Sequence, residues 1–109
     1  MATTLNLRTV IELASFQRAA ATLTVDERIA IATMVAERPE AGDVIPGAGG
    51  ARKIRFAIGG QGKSGGARVI YYAGSVVIYL LTIYVKGAKA NLSQREIKTL
   101  HTICKELER

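Results

Sequence analysis

The stretch RKIRFAIGGQGKSGGARVIYYAGSVVIYLLTIYV, residues 52–85, decides the fold. Charged and apolar side chains alternate over its first part, which is the period of a β-strand with Lys53 and Arg55 on the same face. The runs at 67–73 and 76–85 are rich in β-branched and aromatic residues, and only a tight turn separates them. They therefore predict an antiparallel hairpin beside the first strand.

Helices are predicted on both sides of this stretch in the chain. Apolar residues recur at helical spacing over 13–23, and the capping box at 24–27 starts a second helix that ends before Pro39. Another capping box, at 93–96, starts a closing helix, whereas residues 5–11 are β-prone and open the fold as a strand. The order βααβββα predicts an α+β domain, with an antiparallel sheet and helices packed on one face.

The glycine-rich segment 57–66 partly matches a nucleotide-binding P-loop. Gly62, Lys63 and Ser64 fit the second half of the pattern, but Ala57 stands where its first glycine belongs. A P-loop also requires a helix directly after it, whereas a strand is predicted here. We therefore expect a loop between two strands, with no nucleotide and no other cofactor.

Composition limits the classes of protein that fit. The chain has 109 residues, which suits a single domain over residues 1–109. No apolar run is long enough to cross a bilayer and no export signal is visible, so a cytoplasmic protein without membrane contact is expected. Cys104 and His101 are the sole residues of their types and have no partners at metal-ligand spacing, so no metal site is predicted.

Charge is distributed unevenly along the chain, whose net charge is +6. No Asp or Glu lies between Asp43 and Glu96. The basic residues within that interval are Arg52, Lys53, Arg55, Lys63, Arg68, Lys86, Lys89 and Arg95. Solvated basic surfaces are usually interspersed with acids, so this unrelieved positive charge predicts a surface that binds phosphate groups.

The predicted sheet gives this charge a location. Helices on one face leave the other face open, and unpaired cations are costly to bury. Lys53, Arg55 and Arg68 are therefore expected together on the open face, where no carboxylate is expected beside them. A basic sheet with an accessible tyrosine, such as Tyr72, suits single-stranded RNA.

Four segments together resemble the successive motifs of a family of bacterial toxins. They are AGDVIPG at 41–47, RKIRF at 52–56, GKSGGARVIYY at 62–72 and YLLTIYVKG at 79–87. In order and spacing the chain is similar, from Val10 to Leu107, to RelE/HigB-type toxins of type II toxin–antitoxin modules. The resemblance implies a ribosome-dependent endoribonuclease that cuts messenger RNA in the decoding site. It also implies a cognate antitoxin, containing a helix-turn-helix domain, that holds the toxin inactive.

The implied reaction assigns roles to the basic residues. Attack of a ribose 2′-hydroxyl on the adjacent phosphate needs a base, a stabiliser for the developing oxyanion and an acid. Arg68 matches the arginine that the family uses on this strand, and with Arg55 it is predicted to stabilise the transition state. Lys53 is the first choice for the base, since crowding among cations without an acid favours loss of its proton. Lys86 and Lys89 are candidates for the acid or for phosphate clamps.

Three further residues, Arg52, Lys63 and Tyr72, are predicted to bind RNA. Tyr72 is a substitute for a tyrosine that some family members use at the end of the sheet, where this sequence has Asn91 and Leu92. Two other activities fit the same sequence. One is a toxin of similar fold that poisons DNA gyrase by protein contact, and the other is an RNA-binding module that cuts nothing.

Overall fold

The computed structural model describes residues 8–58, 66–85, 87 and 91–108. Its elements in chain order are β1 (Thr9–Glu12), α1 (Ala14–Ala19), α2 (Val25–Glu37), β2 (Asp43–Val44), β3 (Arg52–Phe56), β4 (Ala67–Ala73), β5 (Val77–Val85) and α3 (Gln94–Leu107). The predicted α+β class is confirmed. Both capping boxes are formed, with the Thr24 and Ser93 hydroxyls accepting from the backbone amides three residues later. No helix within the described ranges is long and apolar enough to span a bilayer.

The strands form a five-stranded sheet in the order β1-β5-β4-β3-β2. The pairs β2–β3, β3–β4 and β4–β5 are antiparallel, and the turn at Gly74 closes the predicted hairpin. Strand β1 runs parallel to β5, with Thr9 opposite Val77, so the sheet is mixed and not purely antiparallel as predicted. The structure also has strand β2, which the predicted order lacks. Neither feature has a local signal, because one depends on pairing across the whole chain and the other is two residues long.

Helices α1 and α2 cover one face of the sheet. Phe16 of α1 and Ile31 and Val35 of α2 are fully buried against a set of sheet residues that includes Val69 and Tyr71 of β4. Burying one such aliphatic or aromatic side chain stabilises the fold by about 1.5–3 kcal/mol. This layer is the principal core of the protein.

Helix α3 packs on the opposite face, so the prediction that the helices share one face is wrong. Leu100 and Cys104 of α3 are buried with Ile70 of β4 and Leu81 of β5. Val69 and Ile70 are neighbours in one strand and point to opposite faces, and both are fully buried. Strand β4 therefore needs cover on both sides, as its nearly continuous apolar sequence requires.

The loop between β2 and β3 fills the space beside α3. Its residues Ile45, Ala48 and Ala51 are buried in the same cluster as Leu100. Gly49 has a φ of +72°, and a Cβ there would lie 3.1 Å from the His101 Cα. Glycine thus lets the loop approach the helix backbone closely.

Candidate functional site

The face of the sheet that carries α3 also holds a cleft of about 700 Å³. Three of the predicted site residues line this cleft, namely Lys53, Arg55 and Arg68. The rest of its lining includes the segment before α3, through Asn91, and the residues around β2, through Asp43. The strands, the β2 edge and the approach to α3 thus enclose three cations, one carboxylate and one amide.

The register of β3 and β4 explains why the cations meet. Arg55 lies directly opposite Arg68, and Lys53 lies opposite Ile70, so all of these side chains point to the α3 side of the sheet. Opposed residues have Cβ atoms about 5 Å apart, and Lys53 is about 7 Å from Arg55 along the strand. Like charges directly opposite each other destabilise a sheet. The arginine pair therefore favours an anion bound between the two guanidinium groups.

A carboxylate also lines the cleft, which corrects the expectation of a site free of acids. Asp43 of β2 lies directly opposite Lys53 of β3, so the two side chains share the cleft side. Within the described part of the chain they form no ion pair at 4.0 Å or less. This neighbour could not be predicted from the sequence, because a strand of two residues shows no alternation and its pairing is not local.

Hydrogen bonds fix the backbone that carries Asp43. The Gly42 amide donates to the Tyr71 hydroxyl over 2.9 Å, and that hydroxyl donates to the Pro39 carbonyl over 2.8 Å. A Cβ on Gly42 would lie 2.7 Å from the Tyr71 oxygen, so glycine is needed for this approach. Burial raises the pKa of Tyr71, which keeps the hydroxyl protonated as a donor. The Asp43 carboxylate therefore faces the cleft from a segment whose backbone is fixed by these hydrogen bonds.

Arg52 contributes to the same anchoring and does not line the cleft. It lies opposite Tyr71, on the side of β3 away from Lys53. Its guanidinium donates to the Gly42 carbonyl over 2.8 Å and to the Glu40 carbonyl over 3.2 Å. The structure thus places this predicted RNA-binding residue outside the cleft, with structural contacts.

Tyr72 is also separate from the cleft, because α3 covers it. It shares a face with Arg68 but lies four residues, or about 13 Å, further along β4. Its ring packs in the α3 cluster, and its hydroxyl donates to the Glu108 carboxylate over 2.9 Å. Burial and this carboxylate raise the pKa of Tyr72. The ring is therefore not presented to a nucleotide that lies between the arginines.

Comparison with known proteins identifies the family. Residues 8–109 match the family model described as the RelE toxin of the RelE / RelB toxin-antitoxin system. The chain belongs to the RelE toxin family. It is accordingly the toxin of a toxin–antitoxin system, and the identification from the four sequence motifs is confirmed.

A solved relative has the same fold as this RelE-family toxin. It is the Escherichia coli toxin RelE in the free state, as a mutant in which two arginines are replaced by alanine. The two structures superpose with a TM-score of 0.58 at 16% sequence identity, over 89% of this chain and 96% of that chain. At this identity the likeness concerns the fold alone.

Three predicted site residues of this RelE-family toxin, Lys63, Lys86 and Lys89, lie outside the described residues. Their roles stay predictions. The glycine-rich segment that contains Lys63 is followed by strand β4 from Ala67, where a nucleotide-binding P-loop would need a helix. In the described ranges no group of three or more His, Cys, Asp and Glu side chains is arranged to hold a metal ion.

Proposed function

We propose that this toxin is a ribosome-dependent endoribonuclease that cleaves translated messenger RNA and so inhibits translation. One observation carries the proposal, namely the opposed pair Arg55 and Arg68 with Lys53 beside it in an open cleft. A sheet gains no stability from this arrangement. An RNA phosphate offers the charge that would compensate it.

The arginine pair suits the transition state of 2′-hydroxyl attack on the adjacent phosphate. Negative charge grows on the non-bridging oxygens as the 2′-oxygen approaches phosphorus. A guanidinium presents several N–H donors in a fixed plane, so Arg55 and Arg68 can each contact two of these oxygens. Donors placed where charge develops lower the barrier, and loss of one such donor slows comparable enzymes about 10²–10³-fold.

The ribosome is expected to supply the control of substrate geometry that a small open cleft lacks. The cleft is open to solvent, so it exerts little control over the conformation of a free strand. Efficient reaction requires the 2′-oxygen, phosphorus and 5′-oxygen to be nearly in line, and holding reactants in such a geometry accounts for much of a catalytic rate. Messenger RNA held in the decoding site meets this requirement, so cleavage is expected only with ribosomes present.

The remaining partner in this proposal is a cognate antitoxin with a helix-turn-helix domain. The net charge of +6 favours an acidic neutralising segment. We also propose that residues 1–109 act as one toxin domain, with no cofactor required for cleavage.

The test is transcript mapping after a short induction of the toxin without antitoxin. The wild type is expected to arrest growth and to produce new 5′ ends confined to translated regions. Arg68→Ala is expected to abolish both effects and to keep the circular dichroism spectrum. Arg18→Ala is the matched control, because Arg18 is exposed on α1 and its loss changes the net charge equally. Purified toxin should cut the same message only when ribosomes are added.

Three outcomes would contradict the proposal. Growth arrest with intact transcripts would favour a toxin that acts on DNA gyrase. Salt-sensitive RNA binding without any cut would favour a binding module. Full toxicity of Arg68→Ala would remove the arginine pair from the mechanism.

A further inference from the structure

We propose that Asp43 is the general base of the cleavage reaction, a role that rests on the proposed nuclease function. The sequence-based hypothesis gave this role to Lys53 on the expectation of a cleft without acids. The structure instead has the Asp43 carboxylate opposite Lys53, in the cleft that holds the arginine pair.

The chemical types of the lining groups support this assignment. Lysine and arginine side chains carry their protons at neutral pH, and the asparagine amide is not a base. A carboxylate is the one type of group among the described lining residues that accepts a proton without first losing one. It also weakens the attraction of the cleft for phosphate, so its presence is not explained by RNA binding.

The position of the carboxylate fits a proton acceptor beside a bound phosphate. Asp43 and Lys53 form one cross-strand pair, and Arg55 and Arg68 form the next pair on the same face of β3, about 7 Å further along the strand. If the arginine pair holds the phosphate, Asp43 on β2 and Lys53 on β3 lie beside it as neighbours across the strands. A line from the 2′-oxygen through phosphorus to the 5′-oxygen that runs across the strands then has the carboxylate toward the 2′-oxygen and the ammonium toward the 5′-oxygen.

The local structure keeps this acceptor available. Asp43 is exposed and makes no ion pair with the described cations, although Lys53 is its direct neighbour. Its backbone is held through the Gly42 amide and carbonyl, which bond to Tyr71 and Arg52. A carboxylate on a fixed backbone with free oxygens is preorganised to accept a proton from a substrate.

The step balances with the groups of the cleft. The 2′-O–H proton passes to the Asp43 carboxylate while the 2′-oxygen forms a bond to phosphorus. The bond from phosphorus to the 5′-oxygen breaks, and that oxygen takes a proton from the Lys53 ammonium. The products are a 2′,3′-cyclic phosphate and a 5′-hydroxyl end. Exchange of protons with water then restores both side chains.

The first experiment compares single-turnover cleavage on ribosomes programmed with a message containing a mapped cut. Asp43→Asn keeps the size and polarity of the side chain but removes the base, so its rate is expected to fall roughly 10²-fold or more. Asp43→Glu is expected to recover part of that loss. Asp26→Asn makes the same chemical change on the exposed first turn of α2 and should cleave as the wild type does. Sedimentation with ribosomes should show that none of the three variants binds more weakly than the wild type.

The second experiment separates the base from the acid. A message with sulfur in place of the bridging 5′-oxygen at the cut has a leaving group that needs no proton. With this message the defect of Asp43→Asn should persist, whereas the defect of Lys53→Met should largely disappear.

Two results would overturn the assignment while the nuclease function stands. One is wild-type cleavage by Asp43→Asn, and the other is rescue of Asp43→Asn by the sulfur message, which would make the carboxylate part of the acid. Absence of cleavage by the wild-type protein would overturn the nuclease function, and the proposed role of Asp43 would then be excluded as well.

Discussion

Two ends of one sheet face differ in what covers them. Along β4, Arg68, Ile70 and Tyr72 alternate onto the same face. Arg68 opens into the cleft, whereas Ile70 and Tyr72 pack with α3. The same two-residue period therefore produces a candidate active site at one end and a core at the other. The end that α3 covers becomes the core, and the end that it leaves uncovered becomes the cleft.

The two ends also differ in what they contribute to stability. The covered end buries Leu81, Leu100 and Cys104 almost completely, which is favourable. The open end holds the opposed arginines, which is unfavourable in the absence of an anion. Residues at the covered end should therefore act on folding, and residues at the open end should act on cleavage.

The largest expected effect is at the covered end. Leu100→Ala removes a side chain that is 5% exposed between α3 and the sheet, so unfolding should become easier by about 2–5 kcal/mol. Urea denaturation followed by circular dichroism measures this loss. Thr102→Ala, on the exposed side of the same helix, should change stability by no more than about 0.5 kcal/mol. A similar small change for Leu100→Ala would mean that α3 adds little to the core.

The next largest effect is expected at the open end, on the rate of RNA cleavage. Arg68→Lys keeps the charge but loses the planar set of donors, so single-turnover cleavage on ribosomes should slow about 10²–10³-fold, equivalent to about 3–4 kcal/mol. The unfolding midpoint in urea should not fall. Arg18→Lys, on the exposed surface of α1, is the control. Cleavage by Arg68→Lys at the wild-type rate would indicate that the cleft supplies only positive potential.

The local period of the strands is what sequence reasoning could use. It placed Lys53 and Arg55 on one face of β3, because side-chain alternation depends only on the strand itself. The cost of burying unpaired cations added Arg68 to that face, and the structure has all three there. The capping boxes likewise predicted the starts of α2 and α3, since a cap is a contact between residues three apart.

The features that sequence reasoning missed depend on contacts between distant parts of the chain. The face chosen by α3 follows from packing of residues 94–107 on β4 and β5, and it removes Tyr72 from the open surface. The pairing of β2 with β3 brings Asp43 to Lys53, although the sequence suggested that the acids stop before the basic region. Apolar residues on both sides of β4 were the one available sign that the cleft face would be partly covered.

An alkaline titration sharpens the comparison at the covered end. Burial raises the pKa of the Cys104 thiol to about 11 from an ordinary value of 9.0. The unfolded chain therefore loses this proton first, and the free energy of unfolding should fall between about pH 9 and pH 11, by about 2–3 kcal/mol in total. Below pH 9 this contribution is fully present.

Cys104→Ala isolates that contribution. Denaturant unfolding at a series of pH values should give a shallower fall for the variant, although its stability at neutral pH is lower because of the cavity. Tyr71 and Tyr72 also have a raised pKa and are present in both proteins. The charge of Cys104 is a minor cause of the raised pKa of Tyr72, so the difference between the two curves reports the thiol together with this interaction. Parallel curves would mean that the thiol is reached by solvent and that α3 opens readily.

The smallest effect tests whether the two ends act independently. Tyr72→Phe removes the hydroxyl that donates to Glu108 near the exposed end of α3, so stability should fall by about 0.5–1.5 kcal/mol. Cleavage on ribosomes should not change, because the ring stays beneath the helix and about 13 Å from Arg68 along the strand. Loss of cleavage in a variant that remains stably folded would require α3 to move away when RNA binds. Tyr72 would then reach the substrate, as its sequence position first suggested, and the covered end would be part of the site.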